Sequence, residues 1–388
     1  NFVYAFSQWG VLIVVTRSSN QSDLGVFVFS LSITTPMMLL FGVGLRPALA
    51  TDAANEFDFH HYLYLRGVAS VLYVGCISVL SIGFWADIAA TVIVVACTKA
   101  VESISEVIHG GLQRIERMQM IAVSLIARST AVITLVTLFG FRTTDLMMIC
   151  SANLAACLIV LAFFDASLLA SLDSRWKINW KIIAKLLVRC APIGVVTCLL
   201  SLNTYIPRYF VAEAIGRHAL GSFGAISYLT LIGGKVVTAL GQVGAPALSR
   251  SYCLRDLRLF RRQLTKMITL ACCLGISTVA IALVFGETLL RFLYSDEVAA
   301  DASLLSLLAG GAAISYVGSF IGYGVTATRQ FKVQPWLMIF VIACNAAMCT
   351  ILIPQFGVHG AGIAICGANI LQAALYGIIM MQAVGRRK

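Results

Sequence analysis

Residues Met267–Gly286 read MITLACCLGISTVAIALVFG, twenty residues without one Asp, Glu, Lys or Arg. A helix of that length is about 30 Å long, the thickness of the hydrocarbon core of a bilayer. Outward from this stretch the pattern repeats. Gly67–Ala86, Leu146–Phe164, Ala302–Thr328, Val333–Val358 and Gly360–Gly385 are equally free of charge. Leu24–Leu45, Ile88–Gly111, Met118–Phe139, Leu186–Ala212 and Leu220–Leu248 are apolar with a few polar interruptions. With the opening run Asn1–Thr16 the count is twelve spans. Pro36 and Pro192 fall inside spans, where neighbouring helices can satisfy the carbonyls they free.

Composition agrees with this reading. Of 388 residues 60% are hydrophobic and 12% charged, about half the charge of an ordinary soluble domain. A water-soluble enzyme, a disordered chain and a secreted disulfide scaffold are excluded. Twelve spans leave about 32 residues per span and loop, too few for a large extramembrane domain. The twelve cysteines lie mostly in apolar runs, with no metal-ligand spacing, so neither a disulfide framework nor a metal site is expected. The chain opens on Asn1 inside an apolar run, so a native start upstream is expected.

The net charge is +11, and its placement sets orientation. With a cytoplasmic N-terminus, twenty of the 28 basic residues fall in inner connections. These include Arg46, Arg66, Arg114, Arg117, the group from Arg175 to Arg189, the group from Arg250 to Lys266, Arg329, Lys332 and Arg386 to Lys388. Four (Arg17, Arg142, Arg217, Arg291) fall outside, and four (Lys99, Arg128, Arg208, Lys235) lie within spans. Both termini are thus expected in the cytoplasm, and no nucleic-acid partner is implied.

The halves echo each other. Leu24-Gly25-Val26-Phe27 matches Leu220-Gly221-Ser222-Phe223, and Pro47-Ala48-Leu49-Ala50 matches Pro246-Ala247-Leu248-Ser249. Phe139-Gly140 with Ala152-Asn153-Leu154 matches Phe356-Gly357 with Ala368-Asn369-Ile370. This predicts an all-α polytopic protein of two six-helix bundles in parallel repeat, with residues 1–164 as first lobe and 186–388 as second. The basic segment 165–185 then serves as a cytoplasmic linker between them.

Ionisable groups inside a bilayer are costly and are functional candidates. Lys99, Glu102, Glu106 and His109, spaced 3, 4 and 3, share one face of the fourth span. Two readings stay open for it: an internal Lys99–Glu102 pair, or a cavity wall. In the second, Glu102, Glu106 and His109 are candidates for a coupling H+ or Na+, Glu102 the best. Arg128 is expected to pair with those carboxylates or to face substrate. Lys235, in Gly233-Gly234-Lys235, and Arg208, beside Pro207, are candidate ligand contacts. Four cations against two acids suit an anionic substrate, and a guanidinium fork suits phosphate. No Walker A motif is present, so ATP-driven transport is not expected, nor is any organic cofactor.

The stretch from Leu24-Gly25-Val26-Phe27 to Leu45-Arg46-Pro47-Ala48-Leu49-Ala50-Thr51-Asp52 resembles the second-helix region of bacterial polysaccharide-unit flippases. So does Gly111-Leu112-Gln113-Arg114-Ile115-Glu116-Arg117-Met118. So too does Asn203–Tyr252, with Ile206-Pro207-Arg208-Tyr209-Phe210 and Ala239-Leu240-Gly241-Gln242. The resemblance runs over nearly the whole chain and points to the O-antigen and exopolysaccharide flippases of the multidrug/oligosaccharidyl-lipid/polysaccharide superfamily. It implies two lobes around a cationic cavity in the bacterial inner membrane. It further implies alternating-access transfer of an undecaprenyl-diphosphate-linked O-antigen, capsule or exopolysaccharide unit to the periplasmic leaflet. Partners would be the lipid-linked oligosaccharide, membrane lipids, and polymerase and chain-length machinery. Arg17, Arg46, Arg208 and Lys235 map to the diphosphate-binding role, with Lys99 and Arg128 as further cations of the cavity. Two other classes remain: a drug:cation antiporter of the same superfamily, and a membrane polymerase or ligase, which would need a long catalytic outer loop.

Overall fold

The computed structural model describes residues 2–52, 56–169, 172, 179–328, 330 and 333–385. Among them there are helices and no strand. Twelve long helices follow one another: α1 (Phe2–Ser18), α2 (Gln21–Phe41), α3 (Phe59–Phe84), α4 (Ala89–Arg114), α5 (Met118–Gly140) and α6 (Leu146–Val160). Then come α7 (Trp180–Ala214), α8 (Arg217–Cys253), α9 (Leu257–Leu293), α10 (Ala302–Ala327), α11 (Gln334–Phe356) and α12 (Val358–Gly385). A short helix, Leu45–Thr51, follows α2. α6 continues through a π-helical turn, Leu161–Asp165, into Ala166–Leu168.

Ten of the twelve are long and apolar enough to cross a membrane. The other two are α1, at 17 residues, and α5's neighbour α4, which carries the charged stripe. The chain is a multi-pass membrane protein. Its surface fits lipid: Ile276, Leu283 and Val284 on α9 are 70%, 68% and 71% exposed, a patch that water would penalise. Helix starts are closed locally. The Asn20 side chain accepts from the Asp23 amide, Asp145 from Met147 and Asp256 from Leu259. All twelve cysteines are free thiols.

Two compact units result, residues 1–205 and 206–388. Each is built by the same packing scheme. In the first, α4 packs on α2, α3 and α6, and α5 packs on α6. In the second, α10 packs on α8, α9 and α12, and α11 packs on α12. Adding six to each index converts one set into the other, as the six-plus-six repeat requires. The cores correspond as well. One cluster joins Leu45 and Leu49, Tyr62 and Leu65 of α3, Ile108 and Leu112 of α4, and Leu168. Its counterpart joins Leu248 and Tyr252 of α8, Phe260 and Leu264 of α9, Ala327 of α10 and Val384 of α12. Of the segment 165–185 read as a linker, residues 170, 171 and 173–178, with Arg175 and Lys177, lie outside the described residues, as do Arg329, Lys332 and residues 386–388.

α8 and α10 approach closely at two steps. The Tyr316 hydroxyl donates to the Thr230 carbonyl at 3.3 Å, and the Tyr323 hydroxyl to that of Thr238 at 3.3 Å. Beneath the rings lie Gly233 and Gly241, where an added Cβ would stand 2.0 Å from the phenol oxygen and from a ring carbon respectively. Glycine is required at both by space.

Candidate functional site

Two charged centres lie inside the first unit. One surrounds Glu102. Lys99 Nζ lies 2.9 Å from Glu102 Oε2, and Gln8 Nε2 of α1 donates to Glu102 Oε1 at 3.2 Å. Tyr4 of α1 is a further hydrogen-bonding neighbour. The internal Lys99–Glu102 pair, one of the two readings left open for the stripe, is therefore present, and Glu102 is buried.

The second centre corrects the expectation for Arg128. Its Nη2 donates to Asp165 Oδ2 at 2.7 Å, not to an α4 carboxylate. Asp165 was placed at the start of the linker. The π-helical turn instead carries α6 five residues further and turns Asp165 into the bundle, where it is fully buried. Ser124 Oγ donates to Asp165 Oδ1 at 2.5 Å, and His109 Nε2 lies 2.8 Å from Ser124 Oγ. The serine proton is committed to the carboxylate, so the His109 Nε2–H must donate to Ser124. Arg128, Asp165, Ser124 and His109 thus form one chain in which a neutral imidazole completes a balanced ion pair.

The stripe of α4 is not uniform. Lys99 is half-buried and Glu102 and His109 are buried, while Glu106 is exposed. Arg66, counted in a connection, lies eight residues inside the spans' third helix and is buried, its guanidinium packed over Gly42. The described spans therefore hold a fifth cation, Arg66, and a third acid, Asp165. The cue for Asp165 was present in the sequence: the charge-free window ends at Phe164, one residue short of it.

In the second unit Arg208 of α7 is 2% exposed. Its Nη2 donates to Ser227 Oγ at 3.2 Å, and its guanidinium carbon stands 5.1 Å from the Tyr228 ring centroid. The aromatic face stabilises the cation and fixes the plane of the fork. Lys235 is exposed on α8, Arg17 is exposed in the last turn of α1, and Arg46 is half-buried on the short helix after α2. These four do not share the paired chemistry of Lys99 and Arg128.

At the start of α7, Lys185 Nζ lies 3.1 Å from Glu56 Oε1, and Arg189 bonds Glu56 Oε2. Both cations also stand 5.7 Å from the Phe57 ring centroid. The Arg189 hydrogen bond, with that of Lys185, holds the Glu56 carboxyl below its ordinary value.

The comparisons with known proteins bear on this arrangement. The capsular polysaccharide biosynthesis protein CapF of Staphylococcus aureus is 24% identical over 374 residues, 94% of this chain and 92% of CapF. An inward-facing multidrug resistance transporter of the MATE family, MOP superfamily, superposes with a TM-score of 0.80 at 14% identity, covering 99% of this chain and 95% of that one. The lipid II flippase MurJ, in an inward closed conformation, superposes with a TM-score of 0.75 at 13% identity, covering 99% and 88%. The family described as "Polysaccharide biosynthesis protein" matches residues 3–252, across the first unit and into α8. Twelve helices in two like-packed sets of six, with the family's sequence pattern over most of their length, place this chain in the polysaccharide biosynthesis protein family.

Proposed function

We propose that the chain is a flippase that carries an undecaprenyl-diphosphate-linked oligosaccharide unit of an O-antigen, capsule or exopolysaccharide from the cytoplasmic to the periplasmic leaflet of a bacterial inner membrane, by alternating access. The observation that carries this reading is the family match over residues 3–252 on a fold shared with the lipid II flippase. The geometry divides the cations. Lys99 and Arg128 have carboxylate partners at 2.9 and 2.7 Å, which suits bracing of the first unit. Arg17, Arg46, Arg208 and Lys235 are left as contacts to the diphosphate. Arg208 is the strongest, since ring and hydroxyl hold its fork in one plane while a planar donor array suits phosphate oxygens. The coupling ion, H+ or Na+, is assigned to Glu102, which already has three hydrogen-bonding neighbours to exchange. No chemical step on the sugar is required of the chain, and polymerase and chain-length machinery would act after it.

Depletion in the host, followed by extraction of lipid-linked intermediates, tests this. Diphosphate-linked oligosaccharide should accumulate on the cytoplasmic leaflet while polymer output falls. Unchanged precursor with raised sensitivity to cationic drugs would instead support an antiporter of the same superfamily.

A further inference from the structure

Asp58, His60 and His61 stand together where the connection from the short helix enters α3. One ligand atom from each lies within 4.8 Å of the other two. Both histidines are 3% exposed, and Asp58 is exposed, so solvent reaches the group from one side. Neither ring nitrogen of His61 has a hydrogen-bond partner, although both are buried. Buried polar atoms are ordinarily satisfied, so an orphaned imidazole needs a reason. Asp58 adds a second irregularity. It occupies the N-cap of α3, where an aspartate side chain ordinarily accepts an amide of the first turn, yet it makes no such bond. The His60 and His61 rings stack at 4.0 Å between centroids, an arrangement that two imidazolium ions would repel and two neutral rings tolerate.

The surroundings are fixed. The Asp52 carboxylate accepts from the Glu56 and Phe57 amides at 3.1 and 3.2 Å and from the Tyr62 hydroxyl at 3.3 Å. Arg114 Nη1 donates to the Phe57 carbonyl at 3.3 Å. The donors therefore sit on a braced turn, which lowers the ordering cost of gathering them around an ion. Two neutral imidazoles and one carboxylate are the donor set of zinc and its first-row neighbours, and are too nitrogen-rich for magnesium or calcium.

We propose that Asp58, His60 and His61 form a binding site for one first-row divalent cation, zinc foremost, with water completing the shell on the exposed side. The bound ion would tie the connection at 56–58 to the first turn of α3. The site is separate from the diphosphate contacts and stands or falls independently of the transport reading.

The full chain, purified in detergent and stripped with chelator, is titrated with Co2+ and then Zn2+, following visible absorption. One equivalent of Co2+ should bind with ligand-field bands and no thiolate charge-transfer band, and Zn2+ should displace it. His61→Gln should weaken binding at least about tenfold, and Asp58→Asn measurably, while His218→Gln and His359→Gln leave it unchanged. Asp58 is exposed, so its variant decides the matter if His61→Gln does not fold. The proposal is overturned by absence of a tight equivalent in the wild type, by thiolate charge transfer, or by affinity unchanged in a folded His61→Gln or Asp58→Asn chain.

Discussion

Arg128 and Asp165 form an ion pair of 2.7 Å in which neither side chain is more than 2% exposed. Desolvating two charges is expensive, and what makes such a pair tolerable is its mutual attraction and its extra hydrogen bonds. Removing one member is therefore the severe change. Asp165→Asn leaves a buried guanidinium uncompensated and should cost about 3–5 kcal/mol. Replacing both, as in Arg128→Met/Asp165→Leu, should recover most of that loss. Thermal unfolding of each variant in detergent, ranked against wild type, provides the check; a double variant no better than the single one contradicts the pairing.

The seam between α8 and α10 gives a sharper local test. Gly233 lies under the Tyr316 phenol, whereas nothing lies within 4 Å of a Cβ at neighbouring Gly234. Gly234→Ala should raise stability by up to about 1 kcal/mol through the helix preference for alanine. Gly233→Ala should lower it by about 1–3 kcal/mol through overpacking. Tyr316→Phe should relieve part of the Gly233→Ala defect, because the phenol oxygen is the closest obstructing atom. Opposite signs at adjacent glycines, read as shifts in melting temperature, are the expected signature.

Arg208 and Lys235 should separate folding from transport differently. Lys235 is exposed, so Lys235→Ala should keep the melting temperature of wild type while transport of a diphosphate-linked lipid into proteoliposomes is lost. Arg208→Lys keeps the charge but not the planar fork, and should lose transport at least about tenfold if one bidentate contact of about 1.5–3 kcal/mol disappears. Full activity of the Arg208→Lys chain would remove Arg208 from the diphosphate site.

Glu102→Gln keeps the size of the side chain and removes its charge. If Glu102 exchanges the coupling ion, initial rates in proteoliposomes should lose their dependence on a pH or Na+ gradient. A variant that is merely less stable but still gradient-driven assigns Glu102 to bracing against Lys99 and Gln8 instead.

Glu56 predicts a pH effect of defined sign. Arg189 and Lys185 depress its folded-state value below the ordinary 4.5. The clamp on α7 is therefore complete above the ordinary value and is lost as pH falls through the depressed one. Wild type should exceed Glu56→Gln in melting temperature at neutral pH. That gap should persist through the ordinary glutamate range, close only in stronger acid, and shrink in high salt. A gap that widens in acid contradicts the assignment.

Much of the architecture was legible because a bilayer admits few alternatives. Once every backbone amide must be satisfied internally, a charge-free run such as 267–286 has one outcome. The repeat was legible where backbone geometry constrains sequence, as at Leu24-Gly25 and Leu220-Gly221. The Lys99–Glu102 pair was legible because helical spacing alone decides an i, i+3 contact. Partners that depend on tertiary packing were not. Arg128 reaches Asp165 across 37 positions, through a change of helical type that no periodicity announces. Asp58, His60 and His61 went unnoticed for a related reason. Adjacent histidines diverge on an ideal helix, and only the turn entering α3 brings their nitrogens to one point.

The π-helical turn at Leu161–Asp165 has a consequence for how the chain can change in length. A wider turn accommodates one residue more than a regular helix over the same rise. Deleting a single residue there would rotate everything beyond it by about 100°. Asp165 would swing off the face that meets Arg128, and Ala166 or Phe164 would come round in its place. The turn works as a phase adjuster: it lets the outer part of α6 keep its packing on α4 and α5 while its last turn delivers a carboxylate. Insertions and deletions should therefore be confined to the loops on either side of α6. Substitutions within 161–164 should be tolerated far better than any change in their number.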